Sequence, residues 1–82
     1  MPYTTFLVRE AADALRTLRS TERDQVIRLL DFLEEFPSTK GDTFEQDSVG
    51  RRLEVKILGR IKAVYWPDHA VKEVKVLQIK RV

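Results

Sequence analysis

Apolar residues recur along the chain with two different periods, and the change of period predicts where helices give way to strands. Residues 3–8 are β-branched or aromatic and predict a first strand. Helical periods over residues 9–19 and 22–36 then predict two helices, which the short link between them arranges as an antiparallel hairpin. Their apolar stripes comprise Ala11, Ala14, Leu15 and Leu18 in the first helix, and Val26, Leu29, Leu30 and Leu33 in the second.

The second helix is expected to stop at Pro37, because proline cannot donate an N–H and crowds the preceding turn. Residues 37–50 contain that proline, two glycines and several short polar side chains, and they predict a connecting loop. We expect Phe44 to pin this loop to the core.

After Gly50 the period becomes two, which is typical of strands. Residues 52–57 and 60–66 predict two strands joined by a tight turn at Leu58-Gly59. Residues 74–82 predict a last strand with apolar residues on both faces, which suits a central position. The order β-α-α-β-β-β predicts a two-layer α+β fold with a mostly antiparallel four-stranded sheet and the helical hairpin on one face.

Composition bounds the kind of protein. A chain of 82 residues and 9.6 kDa predicts a single domain over residues 1–82. The absence of cysteine excludes disulfides and thiolate metal sites, and a single histidine argues against a histidine metal centre, so we expect no cofactor and no metal. No apolar run approaches the ~18 residues of a membrane span, and the N-terminus does not resemble a secretory signal. We therefore expect a cytoplasmic protein without a membrane partner.

The charges are distributed unevenly. Residues 1–48 carry six Lys or Arg against ten Asp or Glu, whereas residues 49–82 carry nine against three. A basic C-terminal half indicates a polyanion or an acidic protein partner. A solvated strand face, with lysine and arginine stems lying along it, explains the same pattern equally well.

The two middle strands decide where the cations meet. We expect the helices to cover the apolar face of these strands, which bears Leu53, Val55, Ile57, Ile61, Ala63 and Tyr65. The opposite face then carries Arg52, Lys56, Arg60, Lys62 and Trp66. Neighbouring strands lie ~4.8 Å apart, so these cations would form one patch that suits a phosphate chain. Trp66 either stacks a base or, as we favour, forms a hydrophobic cap over Val64 and Val76.

The last two strands carry a resemblance to a known family. Gly59-Arg60-Ile61-Lys62-Ala63-Val64-Tyr65 resembles the glycine, basic and aromatic pattern before the third strand of the RelE/ParE superfamily, the toxins of type II toxin–antitoxin pairs. Residues 74–81 resemble the closing strand of that family with its basic residues. The resemblance covers nearly the whole chain and implies a RelE-like fold.

The RelE-like branch of this superfamily cuts mRNA on the ribosome without a metal. By position, the resemblance implies that Lys56, Lys62 and Arg81 are catalytic. The residues that we expect to bind nucleic acid are Arg51, Arg52, Arg60, Trp66 and Lys80. Fixed cations stabilise the negative charge that develops on the phosphate oxygens, and the RNA 2′-hydroxyl supplies the nucleophile.

The sequence departs from the ribonuclease pattern at several positions, so two alternatives stay open. Glu54 stands where a lysine is expected, Lys62 replaces an arginine, and the chain ends at Val82 before the C-terminal tyrosine or histidine of many such enzymes. One alternative is a ParE-like protein that inhibits DNA gyrase by binding it. The other is a degenerate member that only binds its antitoxin. All three interpretations imply a cognate antitoxin, with an acidic segment over the basic sheet or the helical hairpin in a toxin–antitoxin hetero-oligomer.

Overall fold

A computed structural model describes residues 2–82 as two helices and one five-stranded sheet. The elements are β1 (Thr4–Leu7), α1 (Arg9–Thr17), α2 (Ser20–Glu35), β2 (Thr43–Gln46), β3 (Arg52–Leu58), β4 (Ile61–Asp68) and β5 (Glu73–Arg81). The predicted α+β fold is therefore confirmed, with one strand more than expected.

The sheet is mixed, with the strand order β1-β5-β4-β3-β2. Strand β1 runs parallel to β5, and every other neighbouring pair is antiparallel. The central position expected for the last strand is confirmed, because β5 lies between β1 and β4. Its apolar residues serve both faces through a bulge opposite Val64 and Tyr65.

The additional strand β2 lies inside the segment that the sequence predicts as a loop. It pairs with β3 at the edge of the sheet, and all four of its residues are exposed. An exposed edge strand carries no alternation of buried and exposed residues, so the hydrophobic pattern gives no sign of it. The expectation that Phe44 pins this segment to the core is wrong, since its side chain is half exposed beneath the Arg52 guanidinium.

The main core lies between the helices and one face of the sheet. The two helices contribute Ala11, Leu18, Val26, Leu29, Leu30 and Leu33, and the sheet contributes Ile61, Ala63, Tyr65, Val74, Val76 and Ile79. The predicted stripes of both helices are thus confirmed, with Ala14 and Leu15 at the margin of the cluster. We call this side of the sheet the helix face.

Arg23 fastens the end of α1 to the start of α2. Its guanidinium donates hydrogen bonds to the carbonyl oxygens of Leu15, Arg16 and Leu18 at 2.8–3.3 Å. These carbonyls lie at the end of α1, where the helix itself offers few donors. At the start of α2, the Glu22 carboxylate accepts the Arg19 N–H at 3.1 Å.

A second apolar cluster lies on the opposite side of the sheet, which we call the open face. It contains Leu53, Val55 and Val64, with Trp66 and Leu77 packed against them. The expectation that the apolar residues of β3 face the helices is therefore wrong. The cause is the two-residue turn at Gly59-Arg60, which pairs Leu58 with Ile61 and so brings odd positions of β3 opposite even positions of β4.

Removing a core side chain from α2 tests this packing. Leu30 is 7% exposed, so Leu30→Ala leaves a cavity and is expected to lower the free energy of unfolding by about 2–5 kcal/mol. Ile27, which is 41% exposed on the same helix, is the matched control, and its alanine variant is expected to cost under about 1 kcal/mol. Urea unfolding of both variants measures the difference, and equal losses would contradict this packing of α2.

Candidate functional site

Lys56 and Lys62 lie on opposite faces of the sheet. In the β3–β4 pairing Lys56 is opposite Ala63 on the helix face, whereas Lys62 is opposite Ile57 on the open face. The expectation of one patch containing both lysines is therefore wrong. A turn of two residues imposes this result, because opposite residues share a face of an antiparallel sheet.

Lys56 is held by a carboxylate from the segment before β2. Its ammonium lies 3.3 Å from Oδ1 of Asp42, and Oδ2 of Asp42 accepts the Ile57 N–H at 2.8 Å. The hydrogen bond from Ile57, followed by that from Lys56, holds the pKa of Asp42 below its ordinary value. Lys56 thus anchors the chain that leads into the edge strand.

Arg81 also lies on the helix face, and like Lys56 it is near the end of the sheet beside the β3–β4 turn. It is opposite Ile61, and its guanidinium binds the Glu22 carboxylate at the start of α2 at 2.6 Å. The hydrogen bond from Arg81, with that from Arg19, lowers the pKa of Glu22, and the same contact raises the pKa of Arg81. Lys56, Lys62 and Arg81, the three residues predicted to be catalytic, therefore do not share one surface.

Lys62 occupies the open face beside a second lysine. Lys80 is directly opposite Lys62 on β5. Across β3, the carboxylate of Glu45 in the edge strand binds the Lys62 ammonium at 2.7 Å. Among residues 2–82, Lys80 makes no ion pair, and its side chain is exposed.

Trp66 covers the apolar cluster of the open face. It packs against the residues around Val64, so the predicted cap over Val64 is confirmed, whereas Val76 belongs to the helix face. The Arg51 guanidinium lies 4.0 Å from the indole centroid and 3.5 Å from the Asp47 carboxylate. Arg51 and Trp66 form a stacked pair, which places a planar cation on the open face.

The other basic residues predicted to bind nucleic acid lie elsewhere. Arg52 donates to Oε2 of Glu54 at 2.7 Å and lies over the Phe44 ring on the helix face. Arg60 occupies the β3–β4 turn, where its carbonyl oxygen accepts the Val82 N–H. Of the eight residues named from the sequence, four lie on the open face as two separate pairs, Lys62 beside Lys80 and Arg51 against Trp66.

Glu54 is a buried carboxylate with structural partners. Burial alone would raise its pKa, but hydrogen bonds from Arg52 and from the Gly41 N–H outweigh burial and hold the pKa below its ordinary value. Gly41 approaches β3 so closely that a Cβ at this position would clash with the Val55 carbonyl oxygen. Glu54 therefore fixes the segment before β2 against the sheet.

Tyr65 and His69 both have structural contacts. The Tyr65 hydroxyl donates to the Thr39 carbonyl oxygen at 3.0 Å, and burial, with the charges of Glu54 and Asp42, raises the pKa of Tyr65 to about 12. His69, in the turn after β4, has Nδ1 2.5 Å from the Tyr3 hydroxyl. These contacts tie the ends of the sheet to neighbouring loops.

An apolar groove of about 500 Å³ lies between α2 and the β3–β4 turn. Leu29 and Phe32 line it from the helix, and Ile57 and Leu58 line it from the sheet, with Arg28 as its one charged lining residue among those described. Phe32 is 49% exposed. The sequence pattern does not predict this groove, because it depends on how far the helices extend across the sheet.

The comparisons with solved structures identify the fold. A chain of the RelBE2 toxin–antitoxin complex from Mycobacterium tuberculosis is 18% identical with a TM-score of 0.80, and all of both chains is covered. A chain of the archaeal RelE–RelB complex from Pyrococcus horikoshii is 20% identical with a TM-score of 0.79, over 99% of this chain and 96% of that one. The isolated RelE toxin from E. coli is 20% identical with a TM-score of 0.78, over 98% and 84% of the two chains.

These likenesses show that the chain has the fold of the RelE toxins, as the resemblance in its sequence implies. No protein-family model matches the sequence, and no curated protein matches it. Within residues 2–82, none of the helices has the length and apolar character needed to cross a membrane.

Replacing Glu54 tests the electrostatics around the edge strand. The folded state lowers the pKa of Glu54, so its carboxylate stabilises the fold above the ordinary pKa, and this contribution is lost as the pH falls through the folded-state pKa. We expect Glu54→Gln to lower the free energy of unfolding by about 1–3 kcal/mol at neutral pH and by less in acid. Urea unfolding from neutral pH into acid measures this difference, and Glu35→Gln, at an exposed position, is the control. The same pH profile for both variants would contradict the stabilising role of the Glu54 carboxylate.

Proposed function

We propose that this protein is the toxin component of a type II toxin–antitoxin pair. The observation that carries the proposal is the fold, which follows RelE chains from end to end in structures that include two RelB–RelE complexes. The order of the basic and apolar motifs in β4 and β5 supports it independently.

The partner in this proposal is a cognate antitoxin, in a hetero-oligomer with the toxin. The groove between α2 and the β3–β4 turn offers an apolar floor of Leu29, Phe32 and Leu58 with the cation of Arg28 beside it. An amphipathic segment with carboxylates next to its apolar anchors matches this surface in shape and charge. We therefore assign the groove to an acidic segment of the antitoxin.

For the mode of action, the geometry favours a toxin that binds its target over one that cuts RNA. In the metal-free cleavage that the resemblance implies, Lys56, Lys62 and Arg81 would have to surround one phosphate. Lys56 and Arg81 are instead held on the helix face by Asp42 and Glu22, while Lys62 is on the other side of the sheet. The sequence resemblance supplies DNA gyrase as the target of such a binding toxin.

A ribosome-dependent mRNA endonuclease is the second candidate, and one observation favours it. Lys62 and Lys80 stand side by side on the open face, along which Arg51 is stacked on Trp66. A phosphate between the two lysines and a base near Trp66 would give RNA a place on the protein. In this interpretation Lys62 makes the phosphate contact, and Lys56 and Arg81 have structural roles.

Pulse labelling after induction of the protein alone in a bacterial host separates the candidates. A gyrase inhibitor is expected to reduce thymidine incorporation first and to produce filamentous cells. An early loss of methionine incorporation, with mRNA cut within codons, would instead establish the endonuclease. If both labels are incorporated normally, the toxin proposal is contradicted and only the fold is shared.

The variant Lys62→Ala gives a second test in the same host. Because Lys62 is partly exposed and its ion pair is with the exposed Glu45, we expect a change of under about 1 kcal/mol in the free energy of unfolding. Under the gyrase proposal, growth inhibition is expected to persist in this variant. Loss of toxicity with the stability retained would favour the endonuclease, and Lys72→Ala in the β4–β5 turn is the control for loss of one positive charge.

A further inference from the structure

We propose that Glu45 is a self-inhibitory residue. Its carboxylate forms an ion pair with Lys62 in the free protein, and this ion pair must break before the open face binds a nucleic-acid phosphate. The inference rests on the second candidate's assignment of a phosphate to Lys62 and Lys80. It requires binding of nucleic acid and does not require cleavage.

The two lysines form a site that suits an anion. Opposite residues of an antiparallel pair have Cβ atoms about 4.5–5.5 Å apart, and like charges at this separation repel each other. Lys62 and Lys80 are such a pair, at the end of the sheet beside the β3–β4 turn. An anion between them would relieve the repulsion.

Glu45 supplies a carboxylate to one of the two lysines from a distant element. It belongs to the edge strand β2, two strands away from Lys62, and its carboxylate reaches across β3 to a distance of 2.7 Å from the ammonium. The contact neutralises Lys62, whereas Lys80 has no ion pair among the described residues. In the free protein, therefore, the protein's own carboxylate neutralises one of the two lysines and leaves the other without an ion pair among the described residues.

The contact of Glu45 is built to be reversible. The Glu45 side chain is 45% exposed, and β2 consists of four residues at the margin of the sheet that are all exposed. Exposed ion pairs of this kind contribute little to stability and are screened by salt. A phosphate, with more negative charge and more acceptor oxygens than a carboxylate, can displace Glu45 without disturbing the core.

Single-stranded nucleic acid fits this face better than an acidic peptide does. Leu53, Val55 and Val64 are at most 7% exposed, and Ile57, at 42%, is the exposed large apolar side chain beside the two lysines, so this part of the face offers a peptide little apolar surface. Four residues along β4 from Lys62, about 13 Å away, the stacked Arg51 and Trp66 provide a cation and an aromatic surface. An extended strand that follows β4 would meet both sites.

The test measures binding of a labelled single-stranded RNA oligonucleotide by fluorescence anisotropy at low ionic strength. Glu45→Gln removes the competing charge, and we expect it to bind the RNA about two- to fivefold more tightly than the matched control Asp31→Asn. Asp31 is an exposed residue of α2, so both variants change the net charge equally. Glu45→Asp keeps the charge and withdraws the carboxylate by one methylene, and we expect it to strengthen binding as well.

Variants of the lysines complete the test. Lys62→Gln is expected to weaken RNA binding and to abolish the gain produced by Glu45→Gln in the double variant. A gain no larger than that of Asp31→Asn, or one that persists without Lys62, would overturn the role of Glu45. If neither Lys62→Gln nor Lys80→Gln changes RNA binding, the phosphate site itself is overturned, and this result is distinct from a failure of Glu45 alone. If Glu45→Gln strengthens the binding of polyglutamate but not of RNA, the choice of nucleic acid is overturned.

Discussion

The two-residue turn at Gly59-Arg60 is the constraint on which the surfaces of this molecule depend. Gly59 has a φ of +61°, a conformation that glycine adopts without strain, and it lets β3 fold back directly onto β4. The register that follows places Lys62 and the apolar residues of β3 on the open face. The same register turns Lys56 and Glu54 toward the helix face, where carboxylates and loops engage them.

Carboxylates between Asp42 and Asp47 account for much of the local electrostatics. They bind Lys56 on the helix face, and Lys62 and Arg51 on the open face. The basic half of the chain is therefore neutralised in part by the acidic segment that precedes it, and the strong asymmetry along the sequence becomes a mixed surface in the fold.

Much of the fold follows from periodicity, since both helices, the alternation in β4 and the two-sided character of β5 depend on local patterns of burial. The edge strand β2 does not, because none of its residues is buried. The predicted faces of β3 are wrong for a different reason. The alternation of apolar and polar residues in β3 is clear, but the turn decides which of the two sets faces the helices. The apolar set of β3 belongs to the second cluster, under Trp66, and not to the main core. Contacts such as that between Glu45 and Lys62 span the sheet and need the tertiary structure.

The pattern of cross-strand Hα–Hα NOEs in the β3–β4 hairpin tests most directly the register on which both faces of the sheet depend. This register predicts contacts between Val55 and Val64 and between Ile57 and Lys62, because these residues are directly opposite each other. A contact between Lys56 and Lys62 would contradict it, since that pairing requires a turn with one more residue and places both lysines on the same face.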